Sequence, residues 1–187
     1  MSPHQPEGQA WDEYGRLRAE LAEACAKRPL AIYVHVPFCQ IRCGYCDFNT
    51  YTVGFGPGAD RESYDQSALT EMRMGAGILS DAGMPQRPAS SIFFGGGTPT
   101  LLSTDILGRL LVGVGENFGI ARGAEITVEA NPESVDEAAL ERLVKAGFTR
   151  VSFGMQSAVP EVLRVLDRRH DPAKLPGLVG EARRLGM

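Results

Sequence analysis

Three cysteines, Cys39, Cys43 and Cys46, stand in the run CQIRCGYC directly after the apolar stretch AIYVHVPF. Three thiols are too many for one disulfide and one short of the four ligands that close a structural zinc site. Soft thiolates select zinc or an iron–sulfur cluster, and both chemistries stand open on these residues. Zinc could recruit His35 as a fourth ligand, but zinc sites usually pair two short clips and the sequence has no second one. A cluster suits one tight loop better, because three thiolates on four irons leave one iron free to bind something else. Cys25, alone in a polar segment, reads as a bystander thiol.

Other residue types that do chemistry recur along the chain. Gly95–Gly96–Gly97, in GGGTPT, are a strand-to-helix turn by default, yet beside a cluster they let backbone amides and carbonyls approach a small ligand. Glu129 ends an apolar run, and a carboxylate there needs a partner: ribose hydroxyls, an ammonium group, or the guanidinium or amine of a structural salt bridge. Gln156, in SFGMQS, occupies the equivalent place one unit later.

The elements that must position these residues follow from hydrophobic patterning. Leu30–Val36, Ser91–Phe94, Glu125–Glu129 and Arg150–Phe153 read as buried strands. Helices are predicted over residues 12–26, 59–82, 103–118, 134–146, 160–166 and 172–185. Ser103 or Thr104 should cap the third helix. Ser134 with Glu137 forms a predicted capping box for the fourth, Gly147 ends it, and Pro176 should delay the start of the last. Alternating strands and helices specify a parallel α/β domain, either an open doubly wound sheet or a (β/α) barrel. In both, chemistry collects where the strands end. The cysteine loop, GGGTPT, Glu129 and Gln156 all follow strand ends, so four distinctive segments should ring one mouth.

Four βα units fall short of the roughly 250 residues of a complete barrel. The expected organisation is a leader at 1–29 and the N-terminal part of a core domain at 30–187, with the rest of a longer protein beyond. The 43% apolar and 22% charged residues are ordinary for a globular domain. A net charge of −4 without a Lys/Arg-rich run points away from nucleic acid as a partner. No membrane span and no signal-like leader are legible, so a cytoplasmic location is expected.

At this point the motifs match a family. YVHVPFCQIRCGYCDF resembles the C-x3-C-x2-C signature of radical S-adenosylmethionine (SAM) enzymes. FFGGGTPT, EANPES and FGMQS…LRVLDRRH narrow the resemblance to the oxygen-independent coproporphyrinogen III oxidase group, over roughly residues 30–187. The resemblance implies a partial TIM-like barrel in which Cys39, Cys43 and Cys46 bind three irons of a 4Fe–4S cluster. It implies that the fourth iron takes the amino and carboxylate groups of SAM, whose one-electron reduction gives methionine and a 5′-deoxyadenosyl radical. Tyr33 would face the cluster and SAM, Tyr45 would meet the adenine, and Gly96, Gly97 and Thr98 would meet the methionine end. Glu129 would accept from the ribose hydroxyls, with Gln156 and Arg168 completing the pocket.

The group has two branches. Dehydrogenases that decarboxylate coproporphyrinogen III carry a further cysteine two residues after the third, where this chain has Phe48. The motif CDF is similar to the haem-chaperone branch, which implies haem, or a porphyrinogen, as ligand and a haem-receiving respiratory protein as client. A zinc-stabilised binding module is the remote third reading.

Overall fold

The computed structural model describes residues 15–52, 60–168 and 170–187. Its elements run α1 (Ala19–Cys25), β1 (Leu30–Val36), β2 (Phe38–Cys39), β3 (Tyr51–Thr52), α2 (Tyr64–Asp81), β4 (Ala89–Gly96), α3 (Thr104–Phe118), β5 (Ile120–Ala130), α4 (Glu137–Ala146), β6 (Arg150–Phe153), α5 (Pro160–Val165) and α6 (Leu175–Arg184). The main sheet is wholly parallel in the order β1–β4–β5–β6. The order advances without reversing, and α2, α3, α4 and α6 pack side by side in sequence. A doubly wound sheet reverses at a switch point; this one does not. The fold is a sector of a (β/α) barrel, with helices outside.

Alternation along the strands separates the two faces. Val34, Val36, Ile92, Phe94, Ile126 and Val128 point to the helices and are buried with Leu107, Leu110, Leu140, Leu143 and Phe148. Phe94 meets Phe148 edge-on, ring centroids 5.1 Å apart at 70°, the favoured geometry for aromatic quadrupoles. On the opposite face, Tyr33 aligns with Phe93 and Thr127, His35 with Gly95, and Glu129 with Ser152. Asp65, 5% exposed, ties α2 to α3 through Arg109 Nε at 2.7 Å.

Leu30–Val36 and Arg150–Phe153 agree with the reading from sequence, and the two middle strands extend beyond it. Ser103 caps α3, its Oγ accepting from the Ile106 amide, and Gly147 closes α4 at φ 104°. The predicted capping box at Ser134 is not formed. Asp136 caps α4 instead, accepting from the Ala139 amide at 2.7 Å, while the Ser134 hydroxyl is engaged with Asn131. A shorter acceptor nearer the helix satisfies the first turn, which leaves Ser134 to a preceding 3-10 turn, Pro132–Ser134.

The predicted first helix starts only at Ala19, and its residues 12–14 lie outside the described ones. The second starts at Tyr64, with a turn over 61–63 before it. Pro176 does delay the last helix: Pro172–Lys174 is a 3-10 turn and α6 begins at Leu175. The end of the predicted leader is anchored to the domain, since Arg87 donates to the carbonyls of Cys25 and Arg28. Among the described residues, no helix is long and apolar enough to cross a membrane.

Phe94 fills the centre of this core, so Phe94→Ala should cost about 3–5 kcal/mol in urea-denaturation stability. A loss below about 1 kcal/mol would mean that the sheet–helix core is not packed as described.

Candidate functional site

Parallel register brings the strand ends together, and local hydrogen bonds then splice the loops. The Gly97 amide donates to the Val36 carbonyl (2.8 Å) and the Thr98 amide to the Phe38 carbonyl (2.7 Å), extending the β1–β4 pairing past the strands. A two-residue parallel ladder, Phe38–Cys39 on Tyr51–Thr52, closes the base of the cysteine loop. Within the loop, the Cys46 amide donates to the Cys43 carbonyl at 3.1 Å, forming a tight turn whose two cysteines line the same cavity.

Glycine is required here by space. A Cβ at Gly97 would lie 2.4 Å from the Phe38 carbonyl oxygen, and Gly96 has φ 109° with the His35 ring 2.6 Å from where its Cβ would be. The loop therefore presents bare backbone beside the thiols.

Cys39, Cys43, Cys46, Tyr45, Gly96, Gly97, Thr98, Glu129, Gln156 and Arg168 line one cavity of about 280 Å³. Of the residues singled out in the sequence, Tyr33 is not in its lining. The Tyr33 ring stacks on Phe93, its hydroxyl bonds His35 Nδ1 at 3.1 Å, and it is 53% exposed on the strand face next to the cavity. Burial, with the Glu129 charge second, pushes its phenol up. His35 is spoken for, its Nε2 reaching the Asn49 carbonyl at 3.0 Å. Both ring nitrogens are thus engaged within the protein, Nδ1 with the Tyr33 hydroxyl and Nε2 with Asn49.

Ionisation of all three thiols would leave the cavity with an excess of negative charge. Burial raises the Cys39 thiol above its ordinary value, Cys46 and Cys43 push it further, and nearby hydroxyls partly offset them. Three thiolates together thus call for a cation among them. Arg168 is the protein cation at the site: its Nη1 is 3.5 Å from Cys43 Sγ. Glu129 accepts from the Gly96 amide at 3.2 Å and has no ion-pair partner among the described residues, so a salt bridge does not account for it. Among the described residues, Gln156 and Asp167 are the non-glycine residues at positive φ, 62° and 54°; Gln156 lines the cavity and Asp167 directly precedes its Arg168. Such strain collects at functional sites.

Among the described residues, no three His, Cys, Asp or Glu side chains form a group that could hold a metal ion as they stand. The fit to a cluster rests on other features: three soft donors lining one cavity, and bare glycine backbone beside a carboxylate that has no ion-pair partner among the described residues. Cys39, Cys43 and Cys46 are the residues that would hold such a cluster.

The reading from sequence missed Asn131 and Gly154. Asn131 Oδ1 accepts from Arg168 Nη2 at 2.7 Å, and its Nδ2 donates to Thr98 Oγ1 at 3.0 Å. The available signal was its position, directly after Glu129 and Ala130 at a strand end.

The chain matches the Radical SAM superfamily over residues 33–187 and belongs to that family. Membership implies a 4Fe–4S cluster and SAM. The "Heme chaperone HemW" of Mycobacterium tuberculosis is 41% identical over 83% of this chain and 38% of its own length. The protein of that name from Escherichia coli is 38% identical over 85% and 40%. The "Oxygen-independent coproporphyrinogen III oxidase" of Salmonella typhimurium is 34% identical over 86% and 34%. Among solved structures, coproporphyrinogen III oxidase (HemN) from Escherichia coli superposes with a TM-score of 0.74 at 31% identity, over 90% of this chain and 37% of that one. The chain thus spans about two fifths of the length of the HemW relatives it matches.

His170 is 5% exposed, two residues from Arg168, and neither ring nitrogen has a partner of normal hydrogen-bond geometry among the described residues. Burial first, then the Arg168 charge, holds its imidazole below the ordinary 6.5. The unfolded chain therefore binds this proton more readily, and stability falls as pH drops below 6.5. His170→Leu should be nearly neutral at pH 7.5 and lose less melting temperature than the parent between pH 7.5 and pH 5. Equal losses in the two proteins would contradict this.

Proposed function

We propose that this chain carries the cluster- and SAM-binding part of a haem chaperone resembling HemW. The observation that carries the choice of branch is Phe48, on the cavity rim and 61% exposed, where the dehydrogenases are expected to hold a further cysteine. Overall identity does not separate the branches, since the HemW relatives span 33–41% and the oxidases 33–34%. The alternative, a coproporphyrinogen III dehydrogenase, draws support from the superposition on HemN.

In this reading Cys39, Cys43 and Cys46 bind the irons. Gly96, Gly97 and Thr98 offer backbone to the methionine end of SAM, and Glu129, accepting one amide already, accepts the ribose hydroxyls through its remaining lone pairs. The backbone at Tyr45 meets the adenine, while Gln156 and Arg168 close the opposite wall, with Tyr33 on the adjoining strand face. Cluster and SAM together supply one-electron chemistry when bound. Haem, received from solution and passed to a respiratory protein, is the cargo, and the setting is cytoplasmic. The domain would run from residue 30, with 1–29 as its leader.

The branch is tested by anaerobic incubation of the reconstituted full-length protein with SAM, dithionite and coproporphyrinogen III, beside a haem-transfer assay to a haem-free respiratory protein. Haem transfer without formation of protoporphyrinogen IX is expected. Conversion of coproporphyrinogen III over many turnovers would overturn the chaperone reading. Zinc without acid-labile sulfide would overturn the cluster.

A further inference from the structure

Arg168 reaches across the mouth of the cavity and is held by acceptors on two different strand ends. Its Nη2 donates to Asn131 Oδ1 at 2.7 Å and to the Gly154 carbonyl, which leaves Nη1 directed at Cys43 Sγ. Asn131 cannot turn over. A guanidinium offers only donors, so the amide oxygen must face Arg168 and the amide nitrogen must face Thr98. The Asn131 backbone is clamped separately: its amide donates to Ser134 Oγ at 3.1 Å, and that hydroxyl donates back to the Asn131 carbonyl at 2.7 Å. Ser134 is steadied in turn by Thr100, 2.6 Å away. The chain of contacts Thr98–Asn131–Arg168–Cys43 thus joins four separate segments and ends on a thiol.

A donor and a positive charge at a cluster thiolate favour the cluster's more negative, reduced state, and the groups behind a ligand tune the metal nearly as much as the ligand does. From this geometry we propose that Asn131 is a positioning residue, aiming Arg168 at Cys43 Sγ and so raising the reduction potential of the cluster. The inference rests on the cluster reading above. With Asn131→Ala, Arg168 keeps only the Gly154 carbonyl and is free to swing away from the sulfur. Gly154 gives an independent handle. A Cβ there would sit 3.0 Å from Asn131 Oδ1 and 3.3 Å from Arg168 Nη2. Gly154→Ala therefore displaces the pair while leaving both side chains chemically intact.

The test is a potentiometric titration of the reconstituted full-length protein, without SAM, followed by the EPR of the reduced cluster. Dithionite supplies one electron per cluster, and no bond forms or breaks. Asn131→Ala and Arg168→Met should each lower the reduction equilibrium constant about tenfold, which is about 59 mV for one electron. Gly154→Ala should shift it in the same direction, and Arg168→Lys, which keeps the charge, should recover part of the Arg168→Met loss. Potentials unchanged in Asn131→Ala and Gly154→Ala, at unchanged iron and sulfide content, would overturn the proposal. If Asn131→Ala takes up no cluster, Gly154→Ala and Arg168→Lys decide it by the same criterion. A parent protein that forms no cluster at all would overturn the cluster reading, and this inference with it.

Discussion

In a parallel sheet every strand runs the same way, so whatever follows each strand emerges at the same end. Backbone pairing of β1, β4, β5 and β6 is the constraint on which the site depends. It places the cysteine loop, the glycine turn, Glu129–Asn131 and the Gly154–Gln156 segment side by side, although they are separated by up to about 120 residues of chain. The pairing is held from behind by the Phe94–Phe148 core and from the front by the amides of Gly97 and Thr98. Glycine at position 97 is as much a part of that constraint as any hydrogen bond, since a methyl there would meet the Phe38 carbonyl.

Electrostatics determine what such a mouth can hold. Three thiols share a partly desolvated cavity with a carboxylate, against one guanidinium. An assembly of that sign is stable as thiolates only with metal charge among them, and soft donors favour iron–sulfur chemistry over hard cations. The rest of the lining combines glycine backbone and polar groups with the larger side chains of Ile41, Tyr45, Phe48 and Phe153. Membership of the Radical SAM superfamily implies such a cluster together with SAM.

Much of this was legible in the sequence because the signals were local. Period-two and period-3.6 apolar patterns located β1, β6, α3 and α4, and ordered motifs marked most of the cavity residues. What escaped depended on contacts made across the fold. The two-residue ladder β2–β3 is too short to carry a period, and Ser134 has the right spacing for a capping box but is taken by Asn131. Tyr33 alternates onto the face expected for it, yet packs on Phe93 instead of lining the cavity. Asn131 became visible only when Arg168, thirty-seven residues later, was seen to bind it. The sequence also left open a wound sheet or a barrel, which the strand order and one-sided helices resolve.

The central claim is that Cys39, Cys43 and Cys46 hold a cluster with one iron open to SAM. The most direct measurement is the EPR spectrum of the anaerobically reconstituted, dithionite-reduced protein, recorded before and after adding SAM. A reduced 4Fe–4S signal whose line shape changes with SAM is the predicted result. A cluster signal indifferent to SAM, or one that survives intact in Cys43→Ala, would contradict it.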